Sequence, residues 1–191
     1  MAVLDILTYP NERLREVSEE VDHFSDPELQ LYIDDLIETM HAGPACVGVA
    51  APQTGNPIRL LIMDCSLARK PPEGNHGQLV VFNPVIIKWS GMDVAREGCL
   101  SLPDYTGNVM RAVDVTVQFQ DRHGEEQVVT MTDFEARVIQ HEMDHLEGKL
   151  FTDRIVSRKA DLFRRKVRSP KKRKPDPNSP AKNTDQQPSP S

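Results

Sequence analysis

The sequence lacks several features that would assign a chain of this length to particular protein classes. Only three of its 191 residues are cysteines, and aromatic residues make up 5%. No uncharged apolar run is long enough to cross a bilayer, and the N-terminal stretch has no basic region followed by an apolar core. These absences argue against a disulfide scaffold, a membrane protein and a secreted protein. We therefore expect a soluble, cytoplasmic protein with reduced thiols.

Acidic and basic residues are distributed unevenly along the chain. Residues 1–153 contain 26 acidic and 11 basic residues, a balance of −15, whereas residues 154–191 contain 3 acidic and 12 basic residues, a balance of +9. The two balances sum to the net charge of −6. This asymmetry predicts an acidic body with a basic C-terminal segment that meets polyanions.

The hydrophobic pattern predicts both helices and strands. Apolar residues of "PELQLYIDDLIETM" recur on one helical face and Gly43 ends that helix, while "RAVDVTVQFQD" alternates as a half-buried strand does. Further strands are predicted in "IRLLIMD", "LVVFNPVIIKW" and "VVTMT", and a second helix from about Phe134 to Leu146. The pattern predicts an α+β fold, with antiparallel or mixed β-sheets around that second helix.

The C-terminal region changes character after Phe151. A basic helix with few apolar residues is predicted in "RIVSRKADLFRRKVR". The Pro-, Ser- and Lys-rich sequence from Ser169 onward predicts disorder. We therefore predict one domain over residues 1–168 that includes the basic helix, followed by a disordered tail over residues 169–191.

The second helix carries the clearest chemical signal. His141 and His145 are four residues apart, so they lie on one helical face and can bind one metal ion. A metal lowers the pKa of a bound water from about 15.7 toward 7, and a neighbouring carboxylate such as Glu142 can take its proton. Two surface histidines could share this spacing by chance. However, Val138 and Ile139 place the face next to the core, where unliganded histidines would be costly.

A third ligand is needed for a catalytic metal site, and no histidine follows His145. Cys99 in "REGCLSLP" is the upstream candidate, because a thiolate and two imidazoles suit Zn(II) or Fe(II). Taken alone, Cys99 is typical of a buried core cysteine. The stretch "CVGVAAPQTG" adds small residues that allow close approach and an amide donor, Gln53.

Together these stretches resemble the peptide deformylase family. The family's three motifs correspond to "CVGVAAPQ" at 46–53, "EGCLS" at 97–101 and "QHEMDHLEG" at 140–148, with Cys46 in place of the first glycine. The resemblance extends from about Leu4 to Phe163. It implies a deformylase-like catalytic domain over residues 1–168, a metal-dependent hydrolase that removes the formyl group from N-formylmethionine at the start of new polypeptides.

The resemblance also implies roles for individual residues. The metal ligands would be Cys99, His141 and His145, binding one Fe(II) per chain, for which Zn(II), Ni(II) or Co(II) can substitute. Metal-bound water would attack the formyl carbon with Glu142 as general acid/base, while Gln53 and the backbone N–H of Leu100 hold the oxyanion.

A substrate pocket follows from the positions around these motifs. Gly48 would leave only a tight space for the formyl group, and Val47, Phe134 and Val138 would line an apolar pocket for the methionine side chain. Arg111 is expected to bind peptide carbonyls. Arg137 either borders the pocket or points to solvent.

Three other functions remain open on the residues alone. A zinc peptidase uses the same His-Glu-His helix, a thiol hydrolase would use Cys99 as nucleophile, and a ribosome- or RNA-binding module could retain a metal site. The basic segment predicts contacts with ribosomal RNA phosphates, or it is a solvated solubility tail. Those contacts would come from Arg164, Arg165, Lys166 and residues 171–174. We expect a monomer that acts on nascent N-formylmethionyl peptides.

Overall fold

The computed structural model describes residues 2–165. Helices in this range are α1 (Pro27–Ala42), α2 (Asp133–Leu146) and the short α3 (Arg158–Asp161). The strands are β1 (Gly48–Ala50), β2 (Leu60–Asp64), β3 (Gln78–Ser90), β4 (Asp93–Cys99), β5 (Leu102–Arg111), β6 (Asp114–Gln120), β7 (Glu126–Thr132) and β8 (Leu162–Arg164). Short 3-10 turns lie at Glu12–Arg15, Ala51–Thr54, Cys65–Leu67 and Phe151–Asp153.

The strands form two antiparallel sheets. The larger has the order β1-β2-β3-β6-β7 and the smaller has the order β4-β5-β8. In β6 the side chains of Val115, Val117 and Phe119 are buried and alternate with less buried neighbours, as the sequence pattern predicted. The α+β class is confirmed.

Helix α1 begins and ends where the sequence indicated. The Asp26 carboxylate accepts a hydrogen bond of 2.8 Å from the backbone N–H of Glu28, and Pro27 occupies the first turn. Ile33, Leu36 and Met40 on its inner face are fully buried against the larger sheet. Burial of each such side chain contributes about 1.5–3 kcal/mol, so this face holds the helix in place.

Helix α2 lies between the two sheets. Val138, Ile139 and Leu146 pack into the core of the five-stranded sheet. His141 instead stacks on Phe151, with ring centroids 6.4 Å apart, next to the three-stranded sheet. The helix therefore presents its polar inner positions to a space enclosed by both sheets.

The C-terminal prediction of a basic helix was wrong. Residues Arg158–Asp161 form one helical turn, and the chain then continues as β8, where Phe163 pairs with Thr106 of β5. Leu162 and Phe163 are adjacent apolar residues, and an extended backbone places them on opposite faces of the sheet. Leu162 packs on the core of the smaller sheet, and Phe163 lies under Arg96. The tail predicted over residues 169–191 lies outside the described residues.

No helix in the described part of the chain is long and apolar enough to cross a membrane.

Candidate active site

The three predicted metal ligands meet at one point. The ligand atoms of Cys99, His141 and His145 all lie within 4.8 Å of one another, and the three residues are buried. Helix α2 supplies both histidines from one face, and Cys99 is the last residue of β4. Cys99 Sγ is 3.3 Å from His145 Nε2, so a sulfur and two nitrogens converge as a tridentate donor set.

Glu97 fixes the orientation of His141. Its carboxylate oxygen Oε2 accepts a hydrogen bond of 2.8 Å from His141 Nδ1, which leaves Nε2 free for the ligand cluster. Burial raises the pKa of Glu97, but hydrogen bonds and charge from His141 and Arg111 outweigh burial and hold that pKa below its ordinary range. Glu97 is therefore an anion that selects the useful tautomer of His141.

Two buried arginines hold Glu97 in turn. Arg111 donates to both carboxylate oxygens at 2.9 and 3.0 Å, and Arg137 donates to one of them at 3.0 Å. Arg137 also donates to the Val109 carbonyl at 2.8 Å and lines the cleft, so its side chain does not point to solvent. Asp144 forms one ion pair with Arg111 and a second ion pair with Arg154.

The prediction that Arg111 binds substrate is not supported by its position. Its side chain is 4% exposed, its donors face Glu97, Asp144 and the Gln140 carbonyl, and it does not line the cleft beside the metal ligands. A strand-end arginine has a long side chain that can reach solvent or turn inward, and here two buried carboxylates draw it inward.

The electrostatics of Cys99 favour the thiolate. Burial raises the pKa of this thiol, but the charges and hydrogen bonds of His145 and His141 outweigh burial and hold the pKa well below its ordinary value. Gln53 adds an amide donor, since its Nε2 lies 3.4 Å from Cys99 Sγ and 3.1 Å from Ser101 Oγ. Its Oε1 accepts from the Ala50 N–H at 2.9 Å, which fixes the direction of the amide.

Glu142 differs from Glu97 and Asp144 in having no ion-pair partner in the part of the chain that the structure describes. It is 5% exposed, and among the described residues its Oε2 has no hydrogen-bond partner. Burial raises the pKa of Glu142, an effect that His141 and His145 oppose. A Cβ on Gly48 would lie 2.7 Å from Glu142 Oε1, so a glycine at this position makes room for the carboxylate.

A cleft leads to this cluster. Its walls include the predicted apolar residues Val47, Phe134 and Val138, together with Gly48 and Leu100. Cys46, at the position of the first motif glycine, also lines the cleft and donates a hydrogen bond from Sγ to the Gly48 carbonyl at 3.0 Å. Burial, with the Glu142 charge adding to it, raises the pKa of Cys46 to about 12, so this thiol is neutral near pH 7.

The donor set fits a borderline divalent metal. One thiolate and two imidazoles with open space beside them suit Zn(II) or Fe(II) in a catalytic site. The unpaired buried Glu142 oxygen also fits, because it requires a polar partner that residues 2–165 do not supply.

The sequence did not reveal the role of Glu97, although a carboxylate two residues before Cys99 lies on the same face of a strand.

Comparison with known proteins agrees with this geometry. The family model described as Polypeptide deformylase matches residues 3–161. Peptide deformylase 1 of Vibrio vulnificus (strain YJ016) is 41% identical over 168 residues, covering 88% of this chain and 95% of the relative. Peptide deformylase of Xylella fastidiosa (strain M12) is 41% identical over 175 residues, covering 91% and 99%.

Solved structures give the same result. A crystal structure of a peptide deformylase from Legionella pneumophila has a TM-score of 0.74 at 39% identity and covers 81% of this chain and 86% of its own. That of the Ehrlichia chaffeensis peptide deformylase in complex with actinonin has a TM-score of 0.76 at 36% identity, covering 83% and 92%. The chain belongs to the peptide deformylase family.

Proposed function

We propose that this chain removes, by hydrolysis, the formyl group of the N-formylmethionine at the start of newly made polypeptides. The observation that carries the proposal is the unpaired, buried Glu142 carboxylate beside three converging metal ligands, in a chain of the deformylase family. The Ehrlichia chaffeensis deformylase was crystallised with actinonin, and its fold covers 83% of this chain.

Each residue of the site has a separate role in the proposed reaction. Cys99, His141 and His145 would hold the metal, which would supply Lewis-acid polarisation of the formyl oxygen and a lowered pKa for the attacking water. Glu142 accepts the proton of the attacking water at its carboxylate and delivers it to the leaving amine nitrogen. Gln53 Nε2 and the backbone N–H of Leu100 stabilise the oxygen on which negative charge develops.

The cleft accounts for the choice of substrate. The space that Gly48 leaves is bounded by Glu142, which favours the small formyl group over larger acyl groups. Val47, Phe134 and Val138 provide apolar surface for the methionine side chain, and Phe134 is 41% exposed, as a residue at an open cleft should be.

Three competing functions fit these observations less well. A zinc peptidase would share the helix, but family membership and the thiolate ligand favour the deformylase. A thiol hydrolase would use the contact of 3.3 Å between Cys99 and His145, but it gives the unpaired Glu142 no role. A binding module that merely retained a metal site would not need Glu142 either.

Formate release tests the proposed reaction. Protein purified without oxygen and loaded with Fe(II) or Ni(II) should release formate from a formyl-Met tripeptide. The acetyl-Met analogue should be left intact, and a chelator should abolish the reaction. Formate release that survives complete removal of the metal would support the thiol hydrolase, and cleavage inside an unformylated peptide would support the peptidase.

We propose Fe(II) as the metal in the cell, and a cytoplasmic monomer as the working form. The thiolate-imidazole donor set supports Fe(II) without excluding Zn(II), Ni(II) or Co(II). Metal analysis after anaerobic purification without added metal would identify the ion, and sedimentation of the same protein would test the monomer.

We also propose that the basic C-terminal segment docks on the ribosome. The balance of +9 over residues 154–191 supports it, with phosphate contacts from Arg164 and, outside the described residues, from Lys166 and residues 171–174. Arg165, which was predicted to contact RNA together with them, lines the active-site cleft. Truncation after Arg165 preserves strand β8 and removes Lys166 and residues 171–174, and Arg164→Gln added to the truncation removes the remaining contact. Salt-dependent ribosome binding should fall on truncation, and unchanged binding would remove the proposal.

A further inference from the structure

Two exposed arginines stand at the mouth of the active-site cleft. Arg96 and Arg165 line the same cleft as His141 and Glu142, although one comes from β4 and the other follows β8. The other cationic wall residue, Arg137, is buried and bound to Glu97. The mouth therefore carries two positive charges that are separate from the buried network.

Arg96 is held rigidly but is not neutralised. Its Nε donates to Asn108 Oδ1 at 3.1 Å and its Nη1 donates to Thr106 Oγ1 at 3.0 Å. Its Cζ lies 3.5 Å from the centroid of the Phe163 ring, a cation–π contact. All three partners are uncharged, and a guanidinium has five N–H donors, so several of them remain for a ligand.

Arg165 reaches the mouth because β8 pairs with β5. Its backbone N–H donates to the Asp104 carbonyl at 2.7 Å, which extends the strand pairing by one residue. Its guanidinium then lies over Gly98, where a Cβ would clash with it. Gly98 precedes the ligand Cys99, so the guanidinium stands close to the reacting centre.

Neither arginine forms an ion pair within residues 2–165. Residues 1–153 are strongly acidic, with a charge balance of −15. An excess of basic residues in this part of the chain therefore does not explain why the two arginines have no carboxylate partner.

We infer that Arg96 and Arg165 form a carboxylate-binding subsite that selects substrates with Asp or Glu just after the formylmethionine. The inference rests on the proposed function, since it specifies which formylated peptides the site prefers. A peptide whose methionine occupies the apolar cleft must leave through the mouth, and each extended residue advances about 3.3–3.6 Å. The side chains of the first two residues after methionine therefore pass the two guanidiniums, which can bind a carboxylate through paired N–H donors.

Nucleic acid is the rival ligand for these cations. The cleft position favours the peptide, because both guanidiniums share a wall with the reacting groups, whereas phosphate backbones bind to open cationic surfaces. Phe163 is also covered by Arg96, and so it is not presented as a platform for stacking a base.

The test compares amidated formyl peptides that carry Asp, Ala or Lys at the first or second position after methionine. Amidation removes the terminal carboxylate, which could itself occupy the subsite. The metal-loaded wild-type protein should show a kcat/KM ratio of Asp over Lys peptides of about fivefold or more at one of these positions, because each of the two exposed arginines contributes up to about 1 kcal/mol, which is up to about fivefold. The ratio should decline as salt is raised.

Matched variants identify the residues responsible. Arg165→Gln should lower the Asp over Lys ratio about fivefold, Arg165→Lys should retain most of it, and Arg96→Gln should lower it independently. Arg164→Gln is the control, because Arg164 is adjacent on β8, carries the same charge and does not line the cleft. The Arg164 variant should leave the ratio unchanged.

Several outcomes would overturn the inference. A ratio near one in wild type, or an equal ratio in wild type and both glutamine variants, would show that the arginines do not select substrates. Inhibition by a short single-stranded RNA that Arg165→Gln relieves, with the peptide ratio unchanged, would assign the pair to nucleic acid. Absence of formate from every peptide would instead reject the proposed function, and the Ala peptide makes that failure distinguishable.

Discussion

Replacement of Glu97 by glutamine should weaken both the fold and the metal site. The carboxylate accepts four charge-assisted hydrogen bonds of 2.8–3.0 Å, one from His141, two from Arg111 and one from Arg137. Glutamine has nearly the same shape, but it has no charge, and its amide group turns N–H donors toward other donors. Removing one partner from a buried charge network costs about 3–5 kcal/mol.

This loss is large but leaves a measurable native state, because domains of this kind are stable by about 5–15 kcal/mol. Urea unfolding of metal-free Glu97→Gln should give a free energy of unfolding lower by about 3–5 kcal/mol. Metal competition should show an affinity about 10- to 100-fold lower, since Glu97 orients a ligand histidine.

Glu147→Gln is the matched control for this measurement. Glu147 also pairs with an arginine, Arg59, at 2.6 Å, but its side chain is 42% exposed. An exposed pair contributes at most about 1 kcal/mol, and metal affinity should not change. Equal small losses in the two variants, with metal affinity retained in Glu97→Gln, would refute the view that Glu97 organises the site.

Three further predictions follow from the same contacts. Gly48→Ala should lower kcat on a formyl peptide by about 10²-fold or more while the protein still folds, because the new Cβ would lie 2.7 Å from Glu142 Oε1 and displace this base. A variant that retained the wild-type kcat would contradict this interpretation. Removal of the metal with a chelator should make Cys99 the first thiol to be alkylated, because the pKa of Cys99 is well below its ordinary value whereas the pKa of Cys46 is about 12. Peptide mapping would show the order of labelling, and faster labelling of Cys46 would contradict this prediction. Burial raises the pKa of Asp144, but Arg154 and Arg111 outweigh burial and hold that pKa below its ordinary value. Asp144 therefore stabilises the fold above its unfolded pKa of about 3.9, and this stabilisation is lost as the pH falls through the folded value. The difference in unfolding free energy between wild type and Asp144→Asn should shrink below about pH 4, and a difference that grew on acidification would contradict the assignment.

Strong local periodicity made part of this fold predictable. Helix α1 was visible from its apolar spacing and Gly43, and β6 from the alternation of Val115, Val117 and Phe119. The β4–β5 hairpin was not predicted, because outward-facing apolar residues such as Val94 and Met110 remove the alternation that marks a half-buried strand.

The ligand set was predictable for a different reason. His141 and His145 share a local spacing, and motif order linked them to Cys99 across the fold. The network around them depends on tertiary contacts between β4, β5 and α2 that no local pattern encodes. Arg111 was assigned to the substrate for this reason, since its sequence position beside a loop did not reveal that Glu97 and Asp144 enclose it. Likewise, β8 was interpreted as helix because its pairing partner, β5, lies about fifty residues earlier in the chain.

The most direct test of the central claim is single-turnover formate release by wild type and Glu142→Gln, each loaded with one Ni(II) per chain. If Glu142 carries the proton, the variant should bind the metal and fold as wild type does, while formate release slows by about 10²–10⁴-fold. A metal-loaded Glu142→Gln protein that releases formate at nearly the wild-type rate would contradict the account.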